Sequence, residues 1–587
     1  MIMRKLLPYL KPYRKECILA PLFKMLEAVF ELFVPLVVAD LIDRGIPSGD
    51  SALIWSLAFR LFLLAVIGMG FSITAQYFAA RAASGFGTDL RQAVFDHIYD
   101  LSFLDLDRQG ISTLITRQTV DVNQTQNMLN MTLRLLLRSP FIVGGAWIMA
   151  ATVDLRLSLV FAVVIPALSL IVALIMKLTL PRFRQNQKKL DRLMLLTREN
   201  LSGVRVIRAF GREAQEEAQF QKENAALNRM QKSAGALSAL TNPLTYAIVN
   251  AGTVAILYFG GLRVQLGDLT QGQTVAIVNY MAQILVELIK LANLIVLLSR
   301  GMASASRLSE VLTLTPSQET CEKPTAFRET DERVCFRNVA ASYEAGGELV
   351  LKDISFSASS GEVIGIIGAT ASGKSTLVSL IPRFYDVCEG QVLVNGVDVR
   401  ECDQRELRSR IGFVFQKASL LKGTVRENLC RASDNLPDAR LWEALEAAQA
   451  ADFIREKEGA LDYYISQNGR NLSGGQRQRL SIARALVHRP SILILDDASS
   501  ALDFATEARL RRSLLSLSYH PTVFLVSQRT SSLITCDRIL VMEEGRVIAQ
   551  GTHDELLLTC PLYRDIHASS MGEKPEAFSG KEGFSHA

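Results

Sequence analysis

The chain has 587 residues, too many for a single hydrophobic core, so at least two domains are expected. A mean hydropathy of +0.20 excludes an ordinary soluble protein, and 21% charged residues excludes a chain that lies wholly in a membrane. The net charge of +5 comes without a long basic run, so nucleic acid is not an expected partner.

Six segments of the N-terminal half are apolar over the roughly 20 residues that a bilayer crossing requires. They lie at about 17–39, 53–77, 135–153, 155–177, 243–264 and 273–298. Six crossings place both ends on one side, and Lys5, Lys11 and Arg14 before the first segment predict that this side is the cytoplasm. The connections at 78–134 and 178–242 are long, polar and rich in helix formers, which predicts helices that continue into the cytosol.

Two of these segments contain charged residues at helical spacing. Lys24, Glu27 and Glu31 share one face of the first segment, and Glu287 and Lys290 share one face of the sixth. Charges within a membrane are costly and face the protein interior or water. Two interpretations remain open: salt bridges between helices, or a polar cavity wall that favours cationic or amphipathic cargo.

The pattern changes after residue 315. A polar linker at 316–332 precedes a region at 333–568 in which apolar strands alternate with helices, which is typical of an α/β domain. Residues 569–587 are polar and predict a disordered tail. The predicted fold is therefore an α-helical six-span transmembrane domain at 1–315, followed by an α/β domain at 333–568 whose motifs decide its type.

A strand, a glycine-rich loop and a helix at 362–377 form a P-loop in its required context. Its backbone N–H groups and helix start favour phosphate, Lys374 reaches the outer phosphates, and Ser375 can hold Mg²⁺. The predicted nucleotide-binding residues are Gly368, Ala369, Thr370, Ala371, Ser372, Gly373, Lys374, Ser375 and Thr376.

Two further motifs follow this P-loop. The apolar run Ile492–Leu495 predicts a buried strand that ends in Asp496, a candidate Mg²⁺ ligand. A serine and two glycines precede a helical segment and form a second anion cradle, although one domain does not need two cradles for one nucleotide. The predicted residues of this second cradle are Ser473, Gly474, Gly475 and Gln476.

The order of these motifs, with LSGGQ at 472–476, resembles the ATP-binding-cassette (ABC) family, and six spans before the cassette resemble its exporter branch. The resemblance implies ATP and Mg²⁺ as cofactors and a dimer in the bilayer, in which the LSGGQ cradle closes on ATP held by the opposite chain. It also implies that Tyr343 stacks on adenine and that Gln416 contacts Mg²⁺ and the attacking water. A bacterial cytoplasmic membrane location follows, with the ATP-binding domain and both termini in the cytoplasm.

Two residues depart from the family pattern. Asp497 stands where the family has the glutamate that polarises the attacking water, and Gln528 stands where it has a histidine near the γ-phosphate. The predicted catalytic residues are Lys374, Gln416, Asp497 and Gln528. Because Asp497 and Gln528 depart from the family pattern, we expect weak ATP hydrolysis at this chain's own site.

This combination resembles one subunit of the bacterial heterodimeric multidrug exporters, with a partner half-transporter that carries Glu and His. A homodimer that tolerates the shorter acid is the alternative. The expected cargo is a small hydrophobic or amphipathic molecule. Lipid or peptide export, and a nucleotide-gated regulator without transport, remain alternatives.

Overall fold

The computed structural model of the chain describes residues 5–319, 321, 323–343, 346–431, 436–499 and 501–571. The chain divides into two compact units. The first unit comprises the residues up to Tyr99 and the range Ile111–Leu314. The second unit comprises Asp100–Gly110 and the residues from Thr315 onward. Of the predicted tail, residues 572–587 lie outside the described residues, and 569–571 end a helix.

Helices account for nearly all of the N-terminal part, because an apolar chain in a bilayer must satisfy its backbone hydrogen bonds within each segment. Two π-helical turns, Leu41–Gly45 and Arg117–Asp121, interrupt the α-helices. The α-helices are α1 (Arg14–Asp40), α2 (Ile46–Ser48), α3 (Ser51–Asp100), α4 (Phe103–Gln109), α5 (Ile111–Thr116), α6 (Val122–Leu135), α7 (Arg138–Val153), α8 (Leu155–Ser202), α9 (Val204–Ala209), α10 (Glu213–Ala239), α11 (Thr241–Gln265) and α12 (Gln271–Val311).

Five helical stretches in the described part of the chain are long and apolar enough to cross a membrane. They are Ser51–Asp100, Ile111–Val153, Leu155–Ser202, Glu213–Gln265 and Gln271–Val311, and they contain five of the predicted segments. The first predicted segment lies in α1 and differs from these stretches because it carries three charged residues, Lys24, Glu27 and Glu31. The six-span count therefore stays a prediction.

The charges of α1 meet an arginine at the start of α7. Lys24 donates to Glu27 at 2.5 Å within α1. Arg138 donates to Glu31 at 2.6 Å and to Glu287 of α12 at 2.5 Å. Salt bridges between helices, one of the two sequence interpretations, are therefore present.

Glu287 is the most enclosed acid of this network. Its side chain is 3% exposed, and it also accepts hydrogen bonds from Ser139 at 2.7 Å and from Lys290 at 2.8 Å. The side chain of Glu31, in contrast, is 40% exposed. Sequence reasoning did not single out Arg138, although a lone arginine at the start of an apolar segment is a recognisable signal.

The second unit contains the strands. They are β1 (Glu332–Ala341), β2 (Leu351–Ser359), β3 (Val363–Gly368), β4 (Glu389–Val394), β5 (Val397–Asp398), β6 (Ile411–Val414), β7 (Gly423–Thr424), β8 (Tyr464–Ile465), β9 (Ile492–Asp496), β10 (Thr522–Val526), β11 (Arg538–Glu543) and β12 (Arg546–Gly551). Its helices besides α4 are α13 (Lys374–Leu380), α14 (Gln404–Ser409), α15 (Val425–Leu429), α16 (Asp438–Ala447), α17 (Ala451–Arg455), α18 (Gly474–Leu486), α19 (Phe504–Leu515), α20 (His553–Thr559) and α21 (Pro561–Met571).

The larger sheet has six strands in the order β12-β11-β3-β10-β9-β6. Every neighbouring pair in it is parallel except β11 with β12. The central strands β3, β10 and β9 are largely apolar and buried, as expected for parallel strands covered on both faces, and β9 is buried at all five positions. A four-stranded antiparallel sheet, β2-β1-β4-β5, packs its apolar face into the same core as α13.

We predict that Glu287→Gln destabilises the membrane unit strongly, by about 3–5 kcal/mol, because it leaves Arg138 buried without its principal counter-charge. Glu31→Gln should cost roughly 1 kcal/mol or less, because Glu31 is partly exposed. Thermal unfolding of the purified protein in detergent measures both. Equal shifts of the unfolding temperature for the two variants would contradict this account.

Candidate functional site

The loop between β3 and α13 has the backbone of an anion cradle. Gly373, directly before α13, has a φ of +96°, and a Cβ there would lie 2.8 Å from Leu351 Cδ2. A Cβ on Gly368, at the end of β3, would lie 2.2 Å from the carbonyl oxygen of Met542. Both positions therefore require glycine, which lets the chain turn sharply in front of a helix start.

Lys374 is turned into this loop and is 8% exposed. Its Nζ donates to the carbonyl oxygens of Gly368 at 3.0 Å and Ala369 at 2.7 Å. Burial lowers the pKa of Lys374, and the nearby Asp497 and Asp496 oppose this shift. The ammonium group is thus held by carbonyl oxygens at the place where the phosphates of a nucleotide lie in a P-loop.

The other predicted residues of the loop divide between surface and interior. Ala369, Thr370, Ala371 and Ser375 are exposed, while Ser372, Gly373 and Thr376 are buried. The exposed members leave the loop open to a ligand.

Ser375 and Asp496 meet at the start of α13 and the end of β9. Ser375 Oγ donates to Asp496 Oδ1 at 2.9 Å, and Asp496 is 6% exposed. Burial raises the pKa of Asp496, while the hydrogen bond from Ser375 opposes this shift. A hydroxyl beside a carboxylate is a suitable oxygen donor set for Mg²⁺, so these residues fit the metal that the motifs imply.

Asp497 follows β9 with a φ of +48°, a backbone conformation that few side chains other than Asn and Asp adopt. Its N–H donates to the carbonyl oxygen of Val526 at 3.1 Å. Gln416 Nε2 donates to Asp497 Oδ2 at 3.3 Å. Burial raises the pKa of Asp497, and the hydrogen bond from Gln416 opposes this. The structure therefore brings together Lys374, Ser375, Gln416, Asp496 and Asp497.

Gln528 follows β10 at the same edge of the sheet. Val526, two residues earlier, is the register partner of Asp496 on β9. Gln528 is exposed and makes no side-chain hydrogen bond with the residues that the structure describes. Its amide is therefore available on the open side of the site.

Tyr343 lies beside the P-loop helix and is 38% exposed. Its hydroxyl lies 2.8 Å from Thr376 Oγ1, and its ring packs edge to face on Tyr385 at 5.0 Å between centroids. These contacts fix the ring next to the loop while part of its surface remains accessible.

Ser473 begins α18 as its N-cap. Its side chain accepts from Gln476 N at 3.3 Å, and Gln476 Oε1 accepts from Ser473 N at 3.0 Å, a capping box. A Cβ on Gly474 would meet nothing within 4 Å, whereas one on Gly475 would lie 3.2 Å from the carbonyl oxygen of Ala501. The apolar residues of α18 and α13 belong to different core clusters, so the two cradles rest on separate parts of the unit.

Residues 17–288 match the transmembrane region of ABC transporters, and residues 351–500 match the ABC transporter domain. An uncharacterized ABC transporter ATP-binding protein of Mycobacterium tuberculosis is 38% identical over 97% of this chain and 98% of its own length. The chain belongs to the ABC transporter family. These matches confirm the predicted order of a helical transmembrane domain followed by a nucleotide-binding domain, and the chain is an ABC exporter.

Other relatives of this ABC exporter carry more specific names. A putative multidrug export ATP-binding/permease protein of Bacillus subtilis is 33% identical over 95% of the chain and 97% of its own length. An ATP-dependent lipid A-core flippase of Chromobacterium violaceum is 31% identical over 98% of both chains. The fold matches a bacterial Atm1-family ABC exporter with ATP bound, with a TM-score of 0.79 and 24% identity over 96% of this chain and 99% of that one.

The second unit of this exporter includes the short helix α4, which packs beside Tyr343. The rings of Phe103 and Phe384 lie 4.6 Å apart, and Tyr385 donates to Asp107 at 3.0 Å. Arg108 donates to the carbonyl oxygen of Tyr343 at 3.2 Å. Sequence reasoning missed these contacts, because nothing in the composition of Phe103–Gln109 separates it from the long helix before it.

We predict that Lys374→Ala greatly weakens ATP binding by this chain, because it removes the only charged group turned into the described part of the loop. Photolabelling with an ATP analogue measures this. Lys323→Ala, which removes an exposed lysine in the linker region, is the matched control and should bind normally. Unchanged labelling of the Lys374 variant would contradict the assignment.

Proposed function

We propose that this chain is one half of a heterodimeric exporter of hydrophobic or amphipathic compounds, and that its own ATP site hydrolyses poorly. The observation that carries the proposal is the pair of residues at the sheet edge, Asp497 and Gln528, combined with an intact LSGGQ at 472–476. Domains at 1–315 and 333–568, joined by the linker at 316–332, are part of the same proposal.

The P-loop residues have the usual nucleotide roles in this proposal. Lys374 binds the outer phosphates, and the ring of Tyr343 stacks on adenine. Ser375, Gln416 and Asp496 hold Mg²⁺, which supplies positive charge beside the phosphates when it is bound. The short distance between Ser375 and Asp496 and the openness of the loop support these roles.

Asp497 is one methylene shorter than glutamate, which retracts the carboxylate by roughly 1.5 Å. Its backbone is anchored to Val526 and its side chain accepts from Gln416, so the carboxylate has little freedom to move forward. A misplacement of about 1 Å can cost on the order of a hundredfold in a reaction governed by positioning. Gln528 offers an amide N–H but no positive charge and no proton to exchange.

The signature cradle, in contrast, is complete. Ser473 caps its helix, and Gly474 presents open space at the helix start. N–H groups at such a start stabilise the charge that develops on a phosphate during transfer. In the proposal this cradle serves ATP held by a partner chain that carries the Glu and the His.

A homodimer in which Asp497 acts as the base is a second candidate. The raised pKa of Asp497 favours it, because a carboxyl with a raised pKa is a better proton acceptor once ionised. The ATPase activity of the chain alone distinguishes the two. A heterodimer predicts little turnover without the partner, and a homodimer predicts brisk, cooperative turnover.

The proposed location is a bacterial cytoplasmic membrane, with six spans and with the ATP-binding unit and both termini in the cytoplasm. Relatives named as a putative multidrug exporter and as a lipid A-core flippase keep both classes of cargo open, and peptide export is a further alternative. Reconstituted vesicles separate an exporter from a nucleotide-gated regulator: an exporter accumulates substrate with ATP, whereas a gated channel only leaks.

We predict that Asp497→Asn leaves most of the ATPase activity of the complete complex, because this carboxylate already performs poorly. The complex is purified through a tag on this chain, and steady-state ATP hydrolysis is measured. The corresponding Glu→Gln change in the partner should abolish turnover. Equal and complete loss in both variants would instead support a homodimer with Asp497 as the base.

We also predict that Gly474→Asp in this chain lowers turnover of the complex on the order of a hundredfold, because it places a negative charge where the partner's γ-phosphate binds. The side chain has room, since a Cβ at this position meets nothing. Gly474→Ala is the control for steric effects and should retain far more activity. Full activity of the Asp variant would show that this cradle is not used.

A further inference from the structure

A cavity with two compartments lies among α8, α10, α11 and α12 in the first unit. The first compartment, of about 380 Å³, is lined mainly by aliphatic side chains such as Val172, Ile175 and Ile289. The second, of about 550 Å³, is lined mainly by polar side chains. Both include Phe183, Val296 and Arg300, so they are continuous, and each is large enough for part of a drug-sized ligand.

The polar compartment is cationic. Arg184, Arg300 and Arg307 line it together with amides such as Gln187 and Gln231. Within the described residues, neither compartment has an aspartate or a glutamate in its lining. A ligand in this cavity therefore meets positive charge at one end and an apolar wall at the other.

Two of the three arginines have no counter-ion in the described part of the chain. Arg307 is held by Asp121, with Nε donating to Oδ2 at 3.0 Å. Arg184 and Arg300 are exposed, and neither forms an ion pair or a side-chain hydrogen bond with any described residue. Arginines of this kind bind carboxylate or phosphate groups in a bidentate manner.

The acids of α1 and α12 do not supply the missing negative charge. In the network around Arg138, the three carboxylates of Glu27, Glu31 and Glu287 are matched by three cations, on Lys24, Arg138 and Lys290. This pairing does not favour the second of the two sequence interpretations, a polar wall that selects cationic cargo, which stays a prediction. The cavity, in contrast, holds two arginines without a counter-ion among the described residues, Arg184 and Arg300.

The arginines lie where two apolar segments end. The predicted apolar segments end at about residue 177 in α8 and 298 in α12, and Arg184 follows about two turns later and Arg300 directly. Residues just beyond the end of an apolar span are expected at the membrane interface, where basic pockets between helices bind anionic headgroups. Thr179, which lines the apolar compartment, is 6% exposed, and its Oγ1 has no hydrogen-bond partner among the described residues. It can donate a hydrogen bond to a bound molecule.

We propose that this cavity binds an amphipathic anion, with an aliphatic chain in the apolar compartment and a phosphate or carboxylate group on Arg184 and Arg300. The inference rests on the proposed export function and specifies its cargo class. Cargo of this class enters from the membrane, with its chain in the hydrocarbon and its charge at the interface.

The test is equilibrium binding to the full-length chain in nanodiscs of uncharged phosphatidylcholine. The probes are oleoyl lysophosphatidic acid and monoolein, which share one acyl chain and differ in charge. The wild-type chain should bind oleoyl lysophosphatidic acid about tenfold more tightly than monoolein, because only the acid forms charge-assisted hydrogen bonds with the arginines. Arg184→Gln with Arg300→Gln should remove this preference and leave monoolein binding unchanged.

Arg198→Gln with Arg229→Gln is the matched control, since it removes two exposed arginines outside the cavity lining and should retain the preference. The double variant Arg184→Lys with Arg300→Lys keeps both positive charges and should retain most of the preference for the acid. It keeps the test decisive if the glutamine variant fails to fold. Glycerol 3-phosphate should not compete, because it lacks the chain.

Equal affinity of the wild-type chain for the two probes would overturn the proposal, as would a preference that survives in the glutamine variant. Effective competition by glycerol 3-phosphate would indicate a site for small anions and would also overturn it. ATP-dependent export of other compounds by a complex without this preference would leave the proposed function standing while the cargo inference falls.

Discussion

The parallel pairing of β3, β10 and β9 is the constraint on which the ATP-binding unit depends. Ile366, Val526 and Asp496 lie at one level across these strands. Because parallel strands end at the same edge, the P-loop, the acidic pair and Gln528 meet there, although more than a hundred residues separate the P-loop from the other two. The apolar strands form the sheet, and the sheet brings the polar residues of the site together.

This geometry makes the site sensitive to small changes of side chain. The backbone of Asp497 is tied to β10 through Val526, so the length of its side chain decides where its carboxylate lies. Gln528 lies at the same edge, two residues after the end of β10. In the proposed account, a shorter acid and an uncharged amide at this edge reduce hydrolysis, while the sheet, the P-loop and the hydrogen bond between Ser375 and Asp496 are formed. Binding and hydrolysis of ATP are thereby separable within one fold.

The sequence predicts most of this site, because glycines, a lysine and an apolar strand before an acid have a local physical meaning. It does not predict which buried charges find each other. Arg138 pairs with residues more than a hundred positions away, Glu31 and Glu287, and this depends on how three helices pack. The contact of Asp107 with Tyr385 was missed for the same reason. The spacing of residues in the sequence indicates which of them share one face of a helix, but it does not indicate which residues that face contacts.

The most direct test of the central claim restores the missing groups in this chain alone. Asp497→Glu combined with Gln528→His supplies a full-length carboxylate and a histidine at its own site, with its own LSGGQ intact. The account predicts that steady-state ATP hydrolysis by the purified chain rises on the order of a hundredfold, and that Lys374→Ala in the same background removes it. Brisk hydrolysis by the unaltered chain, with no gain from the two substitutions, would contradict the account.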